Sequence, residues 1–135
     1  MYNEDVKNLA NYRLEQAKEN LEEAEALMKI NKFKGASNRA YYSIFHAIKS
    51  ILALEETDFK KHSTVMAYFN KEYISKKIFP RELGKRVNEA RFFREKSDYV
   101  DFYIVTKDEC QTQIESAKLI LENVEKYIKE NLKKE

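Results

Sequence analysis

The sequence predicts an all-α fold, an antiparallel up-and-down bundle of about five helices, on three observations. Glycine occurs twice and proline once in 135 residues, so few positions break a helix or make a tight hairpin. Apolar residues recur at steps of three and four. Hydrophobic residues make up 43% and charged residues 36%, a mix that suits rods with one buried stripe and heavily charged outer faces. The length fits one domain, residues 1–135, with a core of its own.

The first helix is read from about Glu4 to Ile30. Ala10, Leu14, Ala17, Leu21, Ala24 and Met28 keep one apolar stripe, and Glu22, Glu23 and Glu25 fall on other faces. Asn31 to Gly35 breaks the pattern and supplies a turn. The second helix is read from about Ala36 to Leu54. Ala40, Ile44, Ala47, Ile51 and Leu54 form its stripe, widened by Tyr41, Phe45, Ile48 and Leu52. So broad an apolar arc belongs to a central helix with several neighbours.

After a polar connection, a third helix starts near His62, with Ser63 as candidate cap, and carries Val65, Met66, Phe69 and Tyr73. Ser75 to Phe79 reads as irregular, and Pro80 opens a fourth helix at its first turn. That helix runs to about Lys96, poor in aliphatics and carrying Arg81, Arg86, Arg91 and Arg94. Ser97 to Val105 reads as a loop or helix break. Thr106 with Glu109 three residues later has capping-box spacing. The last helix then carries Cys110, Ile114, Ala117, Leu121, Val124 and Ile128, and the charged tail NLKKE is expected to fray.

The net charge of +2 comes from interspersed signs, so binding to nucleic acid would require a local patch. One cysteine excludes an intrachain disulfide and a thiolate zinc cluster. With two histidines and no cysteine pair, no catalytic metal centre is expected, scattered carboxylates being the alternative ligand set, and no cofactor is expected. No run reaches membrane-spanning length, and MYNEDVKNLANYRLEQ lacks the apolar stretch of a secretory signal. A cytoplasmic protein without membrane contact is the expectation. Glycine-rich phosphate loops, serine elbows and zinc-protease signatures are all missing.

Three clusters bear on chemistry. Arg39 and His46 are seven residues apart, about 20° from each other around a helix, with Tyr42 about 60° from Arg39. The trio reads either as a solvated face or as a phosphate site, with the Arg39 fork on an anion and His46 moving a proton. Arg91, Arg94, Asp98 and Tyr99 read either as Arg–Asp pairs pinning a loop or as a phosphate and base cradle. His62 at a helix start either caps the loop or faces a ligand. Most of the nine tyrosines and eight phenylalanines fall in or beside apolar stripes, where rings pack the core.

The run Ser37-Asn38-Arg39-Ala40-Tyr41-Tyr42-Ser43-Ile44-Phe45-His46-Ala47 resembles the second-helix signature of the small stand-alone HEPN-domain proteins of prokaryotes. Lys61-His62-Ser63 followed by Phe69 is similar to that group's third helix. Arg94 through Asp98-Tyr99 resembles its Arg…Asp-Tyr motif. The resemblance covers nearly the whole chain. It implies a bundle of about five helices, often a homodimer, paired with a minimal nucleotidyltransferase, commonly as a toxin–antitoxin couple. Several members are metal-independent ribonucleases with an Arg a few residues before a His in a late helix. This chain has no His between Arg91 and Tyr99; its Arg–His pair of suitable spacing is Arg39 and His46. Tyr99 resembles a tyrosine that the partner transferase modifies.

The expectation is a nucleotide- or RNA-binding protein acting with a nucleotidyltransferase. Tyr42, His62, Arg91, Arg94, Asp98 and Tyr99 are its candidate binding residues. The alternatives are an endoribonuclease toxin using Arg39 and His46 as catalytic residues, and a non-catalytic helical interaction module. The Arg39–Tyr42–His46 and Arg91–Arg94–Tyr99 clusters are expected to converge in one groove or across a dimer face.

Overall fold

The computed structural model describes residues 2–134, and among them it has five α-helices and no strand: α1 (Glu4–Lys29), α2 (Phe33–Leu54), α3 (His62–Phe69), α4 (Arg81–Tyr99) and α5 (Lys107–Lys133). The Asn3 side chain accepts from the Val6 amide at 2.9 Å and opens α1, with Glu4 and Asp5 in the first turn against the positive end of its dipole.

Chain reversals in this glycine-poor protein use other residues. Asn31, Glu56, Lys77 and Phe102 all have φ near +60°. At the end of α1, the Asn31 amide donates to Met28 O and the Lys32 amide to Leu27 O, which is the paired closure that usually recruits glycine. Glu56 ends α2 in the same way, through Glu56 N to Ala53 O and Thr57 N to Leu52 O. The α1–α2 turn is therefore shorter than the sequence predicts. Phe33 to Gly35 belong to α2.

Small residues let α1 and α2 lie close as an antiparallel pair. Ala10, Ala17 and Ala24 are fully buried, Ser43 Oγ donates to Ala17 O at 2.7 Å, and Arg13 Nη1 donates to Lys49 O at 2.9 Å. α2 is the central rod, with Ile44, Ile48, Ile51 and Leu52 fully buried. The predicted stripe of α5 is buried throughout, from Cys110 to Ile128. Two polar stitches join α4 to α5: Arg86 Nη1 to Ser116 Oγ at 3.0 Å and Gln113 Nε2 to Ala90 O at 3.4 Å.

Three further differences from the sequence reading shape the site. α3 begins at His62 itself after Lys61, and Ser63 caps nothing, since no side chain bonds that helix end. α3 then continues into one π-helical turn, Asn70–Ile74. This turn packs on Gly84 of α4, where a Cβ would lie 3.0 Å from both Asn70 Oδ1 and Ile74 Cγ2, so any larger residue would make these side chains give by a few tenths of an ångström. Pro80 sits one position outside α4, and α4 runs on through Ser97, Asp98 and Tyr99. The Arg94–Asp98 ion pair, one turn apart at 3.1 Å, supports that extension.

Thr106 Oγ1 accepts from the Glu109 amide at 3.1 Å, as the box spacing predicts. The Glu109 carboxylate does not return to the Thr106 backbone; it accepts from Tyr103 OH at 2.5 Å. The NLKKE tail stays helical as far as Lys133, and residue 135 lies outside the described residues. Among the described residues, no helix is long and apolar enough to cross a membrane.

Candidate functional site

Extending α4 to Tyr99 puts Arg91, Arg94 and Asp98 at helical positions i, i+3 and i+7, so one face carries all three. That face looks across to α2 and to the start of α3. Between them lies a cleft of about 320 Å³ lined by Tyr41, His62, Ser63, Arg91, Arg94, Glu95, Asp98 and Tyr99.

Arg94 is its best-defined group. Nη2 donates to Tyr42 OH at 3.2 Å, and Nε pairs with Asp98 Oδ2 at 3.1 Å. The guanidinium carbon lies 5.1 Å from the Tyr42 ring centre and 5.5 Å from that of Tyr41, within cation–π range. Five N–H donors serve these two partners, which leaves donors for a ligand oxygen. Arg91 is aimed in the same fashion, with Nε 3.1 Å from Glu95 Oε1.

His62 faces Arg94 from the first turn of α3. Its ring lies 4.1 Å from Phe45, and its Nδ1 is 3.3 Å from Tyr41 OH. Burial, aided by the Arg94 and Lys49 charges, pushes His62 below the ordinary histidine value, so the imidazole is neutral at pH 7. Burial pushes Tyr41 up to about 12, against the pull of Arg94. Tyr41 therefore stays a phenol and is able to donate to the imidazole. A neutral base, two forked cations and exposed Tyr99 together form a cleft suited to an anion that carries a ring and exchangeable protons.

His62, Arg91, Arg94, Asp98 and Tyr99 thus share the cleft, and Tyr42 joins it through Arg94. His46 does not line it. Its ring is 6.2 Å from that of Tyr42, on the side of Arg13 and Lys49, and burial, then those cations, lower its pKa. Arg39 is exposed and stands about 10.5 Å along the helix axis from His46, so equal bearing around the helix does not bring the two together. Tyr41, Ser63 and Glu95 escaped the sequence reading. Tyr41 reads as stripe because it is 2% exposed, yet its ring edge closes the cleft. Glu95 had a legible signal, the i, i+4 spacing from Arg91. Among the described residues, no three His, Cys, Asp or Glu side chains gather to hold a metal ion.

A family model described as HEPN domain matches residues 10–127. A Methanocaldococcus jannaschii protein named "Putative toxin" is 33% identical over 85% of this chain and 78% of its own length. A Thermotoga maritima "UPF0332 protein" is 33% identical over 91% of this chain and 92% of its own. A second M. jannaschii protein with the toxin name is 28% identical over 98% of each chain.

Proposed function

This chain belongs to the HEPN-domain family, and on that premise we propose that its cleft binds the phosphate and base of a nucleotide or RNA. The protein would act in a toxin–antitoxin-like pair with a minimal nucleotidyltransferase. One observation carries the reading: Arg94 is held open-handed between Tyr42 and Asp98, facing His62 across a cavity of nucleotide-compatible size. The toxin names of the relatives support the paired role. Calorimetric titration of the purified chain with ATP and with a short single-stranded RNA tests it. Saturable binding of either is expected, weakening as salt rises; no heat and no retention with either ligand removes the reading.

A second reading, metal-independent RNA cleavage, gains weight from His62 standing with Arg94 where the sequence paired His46 with Arg39. A neutral imidazole would take the 2′-OH proton as the 2′-oxygen attacks phosphorus. The P–O5′ bond would break, the departing oxygen taking a proton from water, while Arg94 bears the added charge. Incubation with total RNA separates the readings: intact RNA with wild type leaves binding alone, and His46→Ala and His62→Ala tell which imidazole serves. A chain that neither binds nor cuts is the helical interaction module.

The homodimer is part of the proposal. Tyr99, Phe102 and Ile104 expose 81, 99 and 79% of their surface at the end of α4 and the loop after it. These exposed apolar side chains, with Tyr99 at the rim of the cleft, suit a second copy. Phe102→Asp is expected to convert a dimer to a monomer in sedimentation velocity. A monomeric wild type at micromolar concentration sinks this part.

A further inference from the structure

We propose that the cleft is one end of a strip with a second phosphate subsite at Lys49 and Lys60, so that the ligand is a single-stranded polynucleotide rather than a mononucleotide. This rests on the cleft reading above and extends it.

One ring cluster underlies both ends. Arg94 lies 5.1 Å from the Tyr42 ring, Tyr42 lies 6.0 Å from His62, and His62 packs at 4.1 Å on Phe45, which is itself buried; the Lys49 charge also acts on His62. Lys49 Nζ stands 5.7 Å from the Phe45 ring centre. There a second cavity, about 330 Å³, is lined by Lys49, Asp58, Phe59 and Lys60.

The second end is built. Arg13 anchors the Lys49 backbone at 2.9 Å, and Asp58 bridges Lys49 at 2.5 Å and Arg13 at 3.4 Å. Lys60 lines the same cavity as Lys49 and Asp58; it is exposed and has no ion pair among the described residues. Beyond Asp58 the surface turns acidic with Asp5 and Glu56, which ends the strip.

Distance selects the ligand. Tyr42, which receives the Arg94 guanidinium, and Lys49 are seven residues apart on α2, about 10.5 Å along the axis. One phosphate does not reach both ends; successive phosphates of a chain do. The exposed His62 ring and the partly open rings of Tyr42 and Phe59 lie between or beside the cations, where splayed bases stack. A duplex offers no such bases.

The test compares uridine 5′-monophosphate with a fluorescent 2′-O-methyl oligouridylate of about eight nucleotides, which resists attack by its own 2′-oxygen. Wild type, Arg94→Ala, Lys49→Gln and Lys60→Gln are titrated by anisotropy, with the mononucleotide as competitor. Wild type is expected to prefer the oligomer. Lys49→Gln and Lys60→Gln each weaken the oligomer about tenfold and flatten its log–log salt slope by about 0.7, with the mononucleotide unaffected. Lys60 is exposed and makes no ion pair among the described residues, so its variant reports on binding even where Lys49→Gln loosens the Asp58 loop. Equal wild-type affinity for the two ligands, or no effect of Lys60→Gln on oligomer affinity and slope, overturns the second subsite. Loss of both ligands in Arg94→Ala alone keeps the cleft and removes the strip. Loss of the oligomer in Lys60→Gln but not in Arg94→Ala removes the cleft reading instead.

Discussion

Arg94→Ala is expected to weaken nucleotide or RNA binding roughly 10- to 100-fold, the worth of one or two charge-assisted hydrogen bonds. No other side chain in the cleft occupies so defined a position: it is stacked on tyrosine, bonded to Tyr42 OH and tied to Asp98. Arg94→Lys should recover only part of the loss, because an ammonium lacks the planar fork and its multiple donors. The folded state should survive, since Arg94 is partly solvated and its ring contacts contribute about 0.5–1 kcal/mol. Thermal melting separates lost affinity from lost structure. Undiminished affinity in a folded Arg94→Ala protein would falsify the assignment of this cleft.

The largest stability effect is expected at Phe69. It is fully buried, with ring centres of Tyr73 and Phe79 at 5.9 and 5.7 Å. Phe69→Ala should cost about 3–5 kcal/mol, a large part of the roughly 5–15 kcal/mol that holds a domain together. Urea denaturation measures it as a lower midpoint with unchanged slope. Phe69 also ends the short helix that presents His62. Loss of this anchor should therefore loosen the cleft before the bundle opens, visible as faster amide exchange in α3 than in α1. A loss under 1 kcal/mol would show that α3 is held by other means, such as the Glu55 carboxylate that accepts from Tyr68 and Tyr73.

The long rods were legible in the sequence because their stripes are regular. The last helix buries its predicted face from Cys110 to Ile128, and the first buries Ala10, Leu14, Ala17 and Ala24. Helix ends were less legible for one physical reason: Asn31, Glu56 and Lys77 close helices in a backbone region normally signalled by glycine. At Ser97–Tyr99 the signal was present, since Arg94 and Asp98 are an i, i+4 pair, but the polar run suggested a loop. The cleft was legible in its residue types and only partly in its geometry. Spacing along one helix paired Arg39 with His46. The approach of His62 to Arg94 depends on how α3 docks, and no periodicity within a single helix encodes that.

The carboxylates beside the two guanidinium groups give the cleft a built-in rival for every visitor. Asp98 and Glu95 already occupy one flank of Arg94 and Arg91, so an arriving anion gains only the margin by which it outperforms them. Chloride or a lone carboxylate has little margin to offer. A ligand that combines several oxygens with a flat ring engages donors and aromatic faces that the resident acids do not satisfy. Selectivity in this protein would then come from what the cleft refuses as much as from what it attracts.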